Sequence, residues 1–156
     1  DKSDNMKLAE ALILRKEMQE KAVYLEERIR NNIHGQEGED PLEDPVKLIS
    51  ELKELQKNLT ALIQRINKTN SETKFSDNMT IADAIAERDG LNKLSLALRD
   101  FARTASGSQV RYSLSEIKQI CYIDISKLQK EIDEIGKRSR ELDTAIQGLN
   151  WNIDLT

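Results

Sequence analysis

"ISKLQKEIDEIGKRSRELDTAIQGL", residues 125–149, decides the fold. Ile125, Leu128, Ile132, Ile135, Leu142, Ile146 and Leu149 recur at alternating intervals of three and four, and Ser139 is the one polar residue in the series. Such a repeat brings every member to one side of an α-helix, so the segment reads as an amphipathic rod with a coiled-coil-like seam. Asp124 or Ser126 can cap its start, because either side-chain oxygen accepts a free N–H of the first turn.

Upstream, the same periodicity returns three times. Leu8, Ala11, Leu14, Met18, Ala22, Leu25 and Ile29 predict a first helix from about Met6 to Asn32, with Lys16, Glu20, Glu27 and Arg30 on its solvated side. Gly35 suits its C-terminal cap. Asp44-Pro45 predicts a second start, since Asp accepts backbone N–H groups and a first-turn Pro loses no hydrogen bond. Val46, Ile49, Leu52, Leu55, Leu59, Leu62 and Ile66 then carry that helix to near Asn67. A third helix, with a capping box of Thr80 and Asp83, runs through Ile81, Ala84, Ile85, Leu91, Leu94, Leu98 and Phe101 to about Thr104, with Gly90 as its weak point. Between the second and third, "TKFSDNMT" reads as a hairpin whose Asp77-Asn78 turn takes positive φ. Residues 117–123 favour extended structure and could join that hairpin near Phe75.

Totals agree with this outline. Aromatic residues make up 4% of the 156 and only 2 prolines and 6 glycines punctuate the chain, too few for a sandwich or barrel. The fold class expected is all-α: four long amphipathic helices in a bundle or coiled-coil-like arrangement, admitting a small β-hairpin at one end. Residues 1–5, all polar, read as a disordered or tag-derived tail, and 6–156 as a single helical domain. A net charge of −4 with acids and bases interleaved offers no cationic field for nucleic acid. No apolar run approaches the roughly 20 residues of a membrane span. A lone Cys121 forms no internal disulfide, so a cytoplasmic home is the simplest expectation.

Candidate chemistry is sparse. In "RINKTNSETKF", residues 65–75, the polar residues Asn67, Thr69, Asn70, Ser71 and Thr73 could form a pocket, but they are also the residues that end helices, and capping is the expected role. The acids Glu37, Glu39, Asp40, Glu43 and Asp44 lack the order of a calcium loop and read as a solvated connection. His34 is the only histidine, so every triad or two-histidine metal site would have to pass through it. Cys121 is expected as a small buried apolar side chain. "RYSLSEIK", residues 111–118, concentrates mixed polar groups outside a helix. The sequence assigns no catalytic residue, no cofactor and no metal ligand. It offers a candidate polar cluster of Asn67, Asn70, Arg88, Asp89, Arg111, Tyr112, Ser115 and Glu116. It also offers a candidate interface of Leu128, Ile132, Ile135, Leu142, Ile146, Leu149 and Trp151.

"MKLAEALILRKEMQ", "QEGEDPLEDP", "INKTN", "TIADAIAERD", "RYSLSEIK" and the pair Asn150-Trp151 together resemble the bacterial septicolysin family, across residues 6–152 in order. That family's pattern often carries a basic residue where this chain has Leu114. The resemblance implies a small bacterial helical protein without established enzymatic activity or cofactor, and its name implies haemolysis. The residues themselves point first to a non-enzymatic protein that self-associates through its seams as an interaction or scaffold module, a homo-oligomer with no nucleic-acid partner. The alternatives are a secreted, membrane-active cytolysin, and a small-ligand-binding protein or hydrolase using the polar cluster at one end of the bundle.

Overall fold

A computed structural model of the chain describes residues 6–107 and 117–156. It is all-α with one small hairpin: α1 (Leu8–Asn31), α2 (Pro45–Glu72), β1 (Lys74–Ser76), β2 (Met79–Thr80), α3 (Ile81–Gly107) and α4 (Ile125–Asn152). Residues 1–5, and with them the expected tail, lie outside the described residues. Two compact units divide the chain: residues up to Thr73 together with Gly148–Thr156, and Lys74–Gln147.

In the first unit α1 and α2 run antiparallel. Leu25 and Ile29 pack with Leu48, and Leu52 and Leu55 close over them. The stripe read for α1 is the buried one, with Leu8, Ala11, Ala22, Leu25 and Ile29 all withdrawn from water. The stripe read for α2 needs correction at its start. Val46 and Ile49 are exposed and Leu48 is buried instead, because only residues at the helix-facing angle of the first turn meet Ile29. Asp44 caps α2 as expected, its carboxylate accepting from Val46 N–H at 2.9 Å.

The loop between the helices is tied back to α1. Asn32 donates to the Arg28 carbonyl at 2.8 Å and accepts from Glu43 N–H at 3.2 Å. The Arg28 guanidinium forks onto both Glu43 carboxylate oxygens and lies 5.4 Å from the centroid of the Tyr24 ring. That fork lowers the Glu43 carboxyl below its ordinary range and raises Arg28 above its own. The cap of α1 is Asn32, not Gly35. The turn that requires a glycine comes later, at Gly38 with φ 90°.

At the other end of this unit, residues 153–155 lie antiparallel to residues 6–8. Leu8 N–H donates to the Ile153 carbonyl and Leu155 N–H to the Met6 carbonyl, both at 2.8 Å, and Lys7 pairs with Asp154 at 2.7 Å. Committing residues 6 and 7 to this pairing is why α1 begins at Leu8 rather than at Met6.

In the second unit β1 and β2 pair antiparallel, Ser76 opposite Met79 and Lys74 opposite Thr80, with an irregularity between. The Asp77-Asn78 turn is formed without the expected positive φ, which no described non-glycine residue adopts. Among the described residues the sheet has two strands. Residues 117–123 do not join it and lie exposed without regular structure, and Cys121 is exposed with them rather than buried. The capping box forms reciprocally: Thr80 N–H donates to the Asp83 carboxylate at 3.0 Å and Asp83 N–H to the Thr80 hydroxyl at 3.2 Å. The Thr80 backbone bond, then its side chain, lowers the Asp83 carboxyl. α3 passes through Gly90 unbroken to Gly107, three residues beyond the expected Thr104. Asp124 is the cap of α4, accepting from Lys127 N–H at 3.2 Å.

Candidate functional site

The polar run that ends α2 is not where the helix stops. α2 continues through Asn67, Thr69, Asn70 and Ser71 to Glu72, and only Thr73 caps it, donating its N–H to the Thr69 carbonyl at 3.0 Å. The helix survives because Thr69 turns its hydroxyl onto the Arg65 carbonyl one turn back, at 2.8 Å, instead of competing for a free N–H. Thr69 is fully buried, and its oxygen accepts from Thr156 N–H at 2.9 Å. Asn67 is exposed. Asn70 is half-buried, and its Oδ1 is enclosed without a hydrogen-bond partner among the described residues, as is Oδ1 of Asn150 in the same unit.

Of the eight residues proposed as a polar cluster, Arg111, Tyr112, Ser115 and Glu116 lie outside the described residues. Asn67 and Asn70 belong to the first unit, Arg88 and Asp89 to the second. Arg88 donates to Asp89 at 3.2 and 3.1 Å and to Asp143 on α4 at 2.9 Å. Glu87 turns the other way and takes Arg138 at 3.3 Å. These pairs hold α3 and α4 antiparallel.

Beside them the seam of α4 reaches its polar position. Ser139 is 6% exposed and donates to Oδ1 of Asn92 on α3. Ser95, one turn along α3, is also buried. A Leu at such a place would contribute about 1.5–3 kcal/mol by burial. The polar layer gives up that stabilisation, and it opens a groove. One hollow of about 460 Å³ is lined by Arg88, Asp89, Asn92, Arg140, Asp143 and Thr144. Its neighbour, of about 340 Å³, is lined by Asn92, Ser95, Arg99, Gly136, Ser139 and Arg140. Gly136 leaves room for Arg140, whose Nη1 would lie 3.2 Å from a Cβ at that position.

The sequence reading reached Arg88, Asp89 and Ser139 but missed Asn92, Ser95, Arg99, Gly136, Arg140 and Asp143. A signal was present: 92, 95 and 99 on α3 and 136, 139 or 140, and 143 on α4 repeat at core spacing while being polar or small. The α4 seam offered as an interface is largely spent within the chain. Ile132, Leu142 and Ile146 are buried, and Leu128, Ile135 and Leu149 are half-buried. Trp151 remains exposed. His34 sits in the exposed loop after α1. Among the described residues no group of three or more His, Cys, Asp or Glu side chains is placed to hold a metal ion.

The described elements make this an all-α protein with one small hairpin, and they do not by themselves fix an activity. Residues 15–155 match the family of unknown function DUF6847, and the chain belongs to that family. It is also similar to a functionally unknown conserved protein from Corynebacterium diphtheriae, whose crystal structure superposes with a TM-score of 0.91 at 41% identity, over 97% of this chain and 99% of that one. No curated protein matches the chain.

Proposed function

We propose that the chain is a non-catalytic helical interaction module that associates with a second copy of itself through the second unit. One observation carries this reading: Ile117, Ile120, Tyr122, Ile123 and Ile125 fall within nine consecutive residues and all are exposed, Tyr122 at 91%. With Phe101 of α3, the residues Ile120 to Ile123 border a shallow apolar hollow of about 350 Å³. Contiguous apolar surface of this kind marks interaction sites on otherwise charged proteins. The occupant is a second copy because the run leads straight into the heptad seam of α4. That stripe is complementary to itself, and its Ile125, Leu128 and Ile135 edge is not fully covered within the chain.

Sedimentation velocity at micromolar concentration tests the reading. A reversible dimer or closed higher oligomer, weakened by Tyr122→Asp, is the expected result. A strictly monomeric chain overturns it. The resemblance to septicolysins supports a rival that would direct the same apolar run at lipid. No described helix is long and apolar enough to cross a membrane. Dye release from vesicles of neutral and anionic lipid is the discriminating measurement, and self-association without leakage favours the module.

A further inference from the structure

We propose that the notch between α3 and α4 is a binding site for a phosphate group carried by a small molecule, gripped by Arg99 and Arg140. The hollow that these two residues line, about 340 Å³, contains two guanidinium groups and no carboxylate. Its size falls in the range of small-molecule sites. Neither arginine forms an ion pair or hydrogen bond with any described residue. Arg88, by contrast, is neutralised by Asp89 and Asp143 in the adjoining hollow, so those acids are already occupied. The result is local surplus positive charge in a chain whose net charge is −4.

Leu96 adds an apolar side to the hollow, and its remaining polar groups suit the same ligand. The Ser139 hydroxyl donates to Oδ1 of Asn92, which fixes the carboxamide and leaves its NH₂ group free to donate. The Ser95 hydroxyl engages no described residue. Arg99, Arg140, Asn92 and Ser95 therefore all present donors. A carboxylate offers two oxygens and one charge; a phosphate monoester offers three terminal oxygens and about −1.5 to −2 charges at pH 7. Two planar forks of N–H donors match the phosphate better. Gly136 belongs to the same design, since it is the missing side chain that lets the Arg140 guanidinium fold over the notch. This inference does not rest on self-association: the site lies within one chain and shares no lining residue with the apolar hollow of Phe101 and Tyr122.

Isothermal titration of the full chain with inorganic phosphate, and separately with succinate at matched ionic strength, is the test. Saturable one-to-one phosphate binding is expected, weakened roughly tenfold or more by Arg99→Gln and by Arg140→Gln, each of which removes a charge-assisted contact. Lys127→Gln, nine residues before Gly136 on α4 and so roughly 13 Å from the hollow by helix rise, should change it by less than about threefold, as expected of a screened distant charge. Absence of saturable phosphate binding overturns the proposal, as does equal weakening in all three variants. Succinate binding as tightly as phosphate overturns the phosphate assignment. Circular dichroism of each variant separates loss of binding from loss of fold.

Discussion

Thr69 of α2 accepts a hydrogen bond from the backbone N–H of Thr156 at 2.9 Å, while its own hydroxyl proton goes to the Arg65 carbonyl. One buried side chain thus joins the last turns of α2 to Thr156, which directly follows the residues 153–155 paired with residues 6–8. Arg65 adds a second link, donating Nε to the Thr156 carbonyl at 3.2 Å. Thr69→Val preserves shape and removes the acceptor. It should cost about 1–2 kcal/mol of unfolding free energy, the usual consequence of stranding one partly buried donor, read from the urea midpoint.

Burial separates two positions that the heptad pattern of the first unit treats alike. Leu25 is fully buried against Leu48, whereas Val46, at a predicted seam position, is 70% exposed. Leu25→Ala should cost about 2–5 kcal/mol through lost burial and a residual cavity. Val46→Ala should fall within about 0.5 kcal/mol of the parent. Chemical denaturation of the two variants in parallel gives the comparison, and similar losses would mean that the α1–α2 pairing is not as described.

Elements with a local cause were legible in the residues. Asp44-Pro45, the Thr80-Asp83 box and the three-four repeats each act within one or two turns, so helix number, most boundaries and the hairpin followed from sequence. What failed depended on distant partners. That the Thr69 oxygen serves Thr156 cannot be read locally, and Leu48 displaces Val46 and Ile49 only because Ile29 sits where it does. Cys121 and Ile123 have buried-strand composition, yet among the described residues the hairpin takes on no third strand. The notch was the least visible, because half of it comes from α3 and half from α4, and no short motif spans that separation.

Acid should weaken the first loop in a particular way. The Arg28 fork lowers the Glu43 carboxyl below its unfolded value of about 4.3. A carboxyl depressed by folding stabilises fully above its unfolded value and loses that contribution as pH falls through the lowered folded one. Arg28 stays protonated throughout this window. The stability gap between the parent and Glu43→Ala should therefore be constant from pH 6 to 8, by thermal melting, and narrow progressively below about pH 4.5. A gap that persists unchanged at about pH 2.5 would show that the pair acts through packing and not through charge.

Gly136 offers a way to separate stability from the groove. Ala there removes a helical glycine, worth up to about 1 kcal/mol, and apart from its own helix backbone its Cβ would meet the far end of Arg140. That end can swing away. Gly136→Ala should raise stability by about 0.5–1 kcal/mol while displacing the guanidinium from the notch, seen as weaker phosphate binding. A destabilised variant would mean that the Arg140 side chain is held more firmly than its lack of partners implies.

Asn150 is the position where packing and chemistry disagree most. It is 4% exposed on the last turn of α4, yet its Oδ1 has no hydrogen-bond partner among the described residues. An enclosed, unpaired amide oxygen costs about 1–3 kcal/mol, and Asn is also a weaker helix former than Leu. On folding grounds alone Leu is the better residue, being of similar bulk and free of the desolvation penalty. Asn150→Leu should therefore raise the unfolding free energy by about 1–3 kcal/mol, measured by urea denaturation. Natural chains tolerate such local violations mainly where something other than stability is served, so a stabilised variant would show that Asn150 is kept for a reason other than folding. A destabilised one would show that the carboxamide is satisfied in solution, and that the last turn of α4 is held by hydrogen bonding as well as by burial.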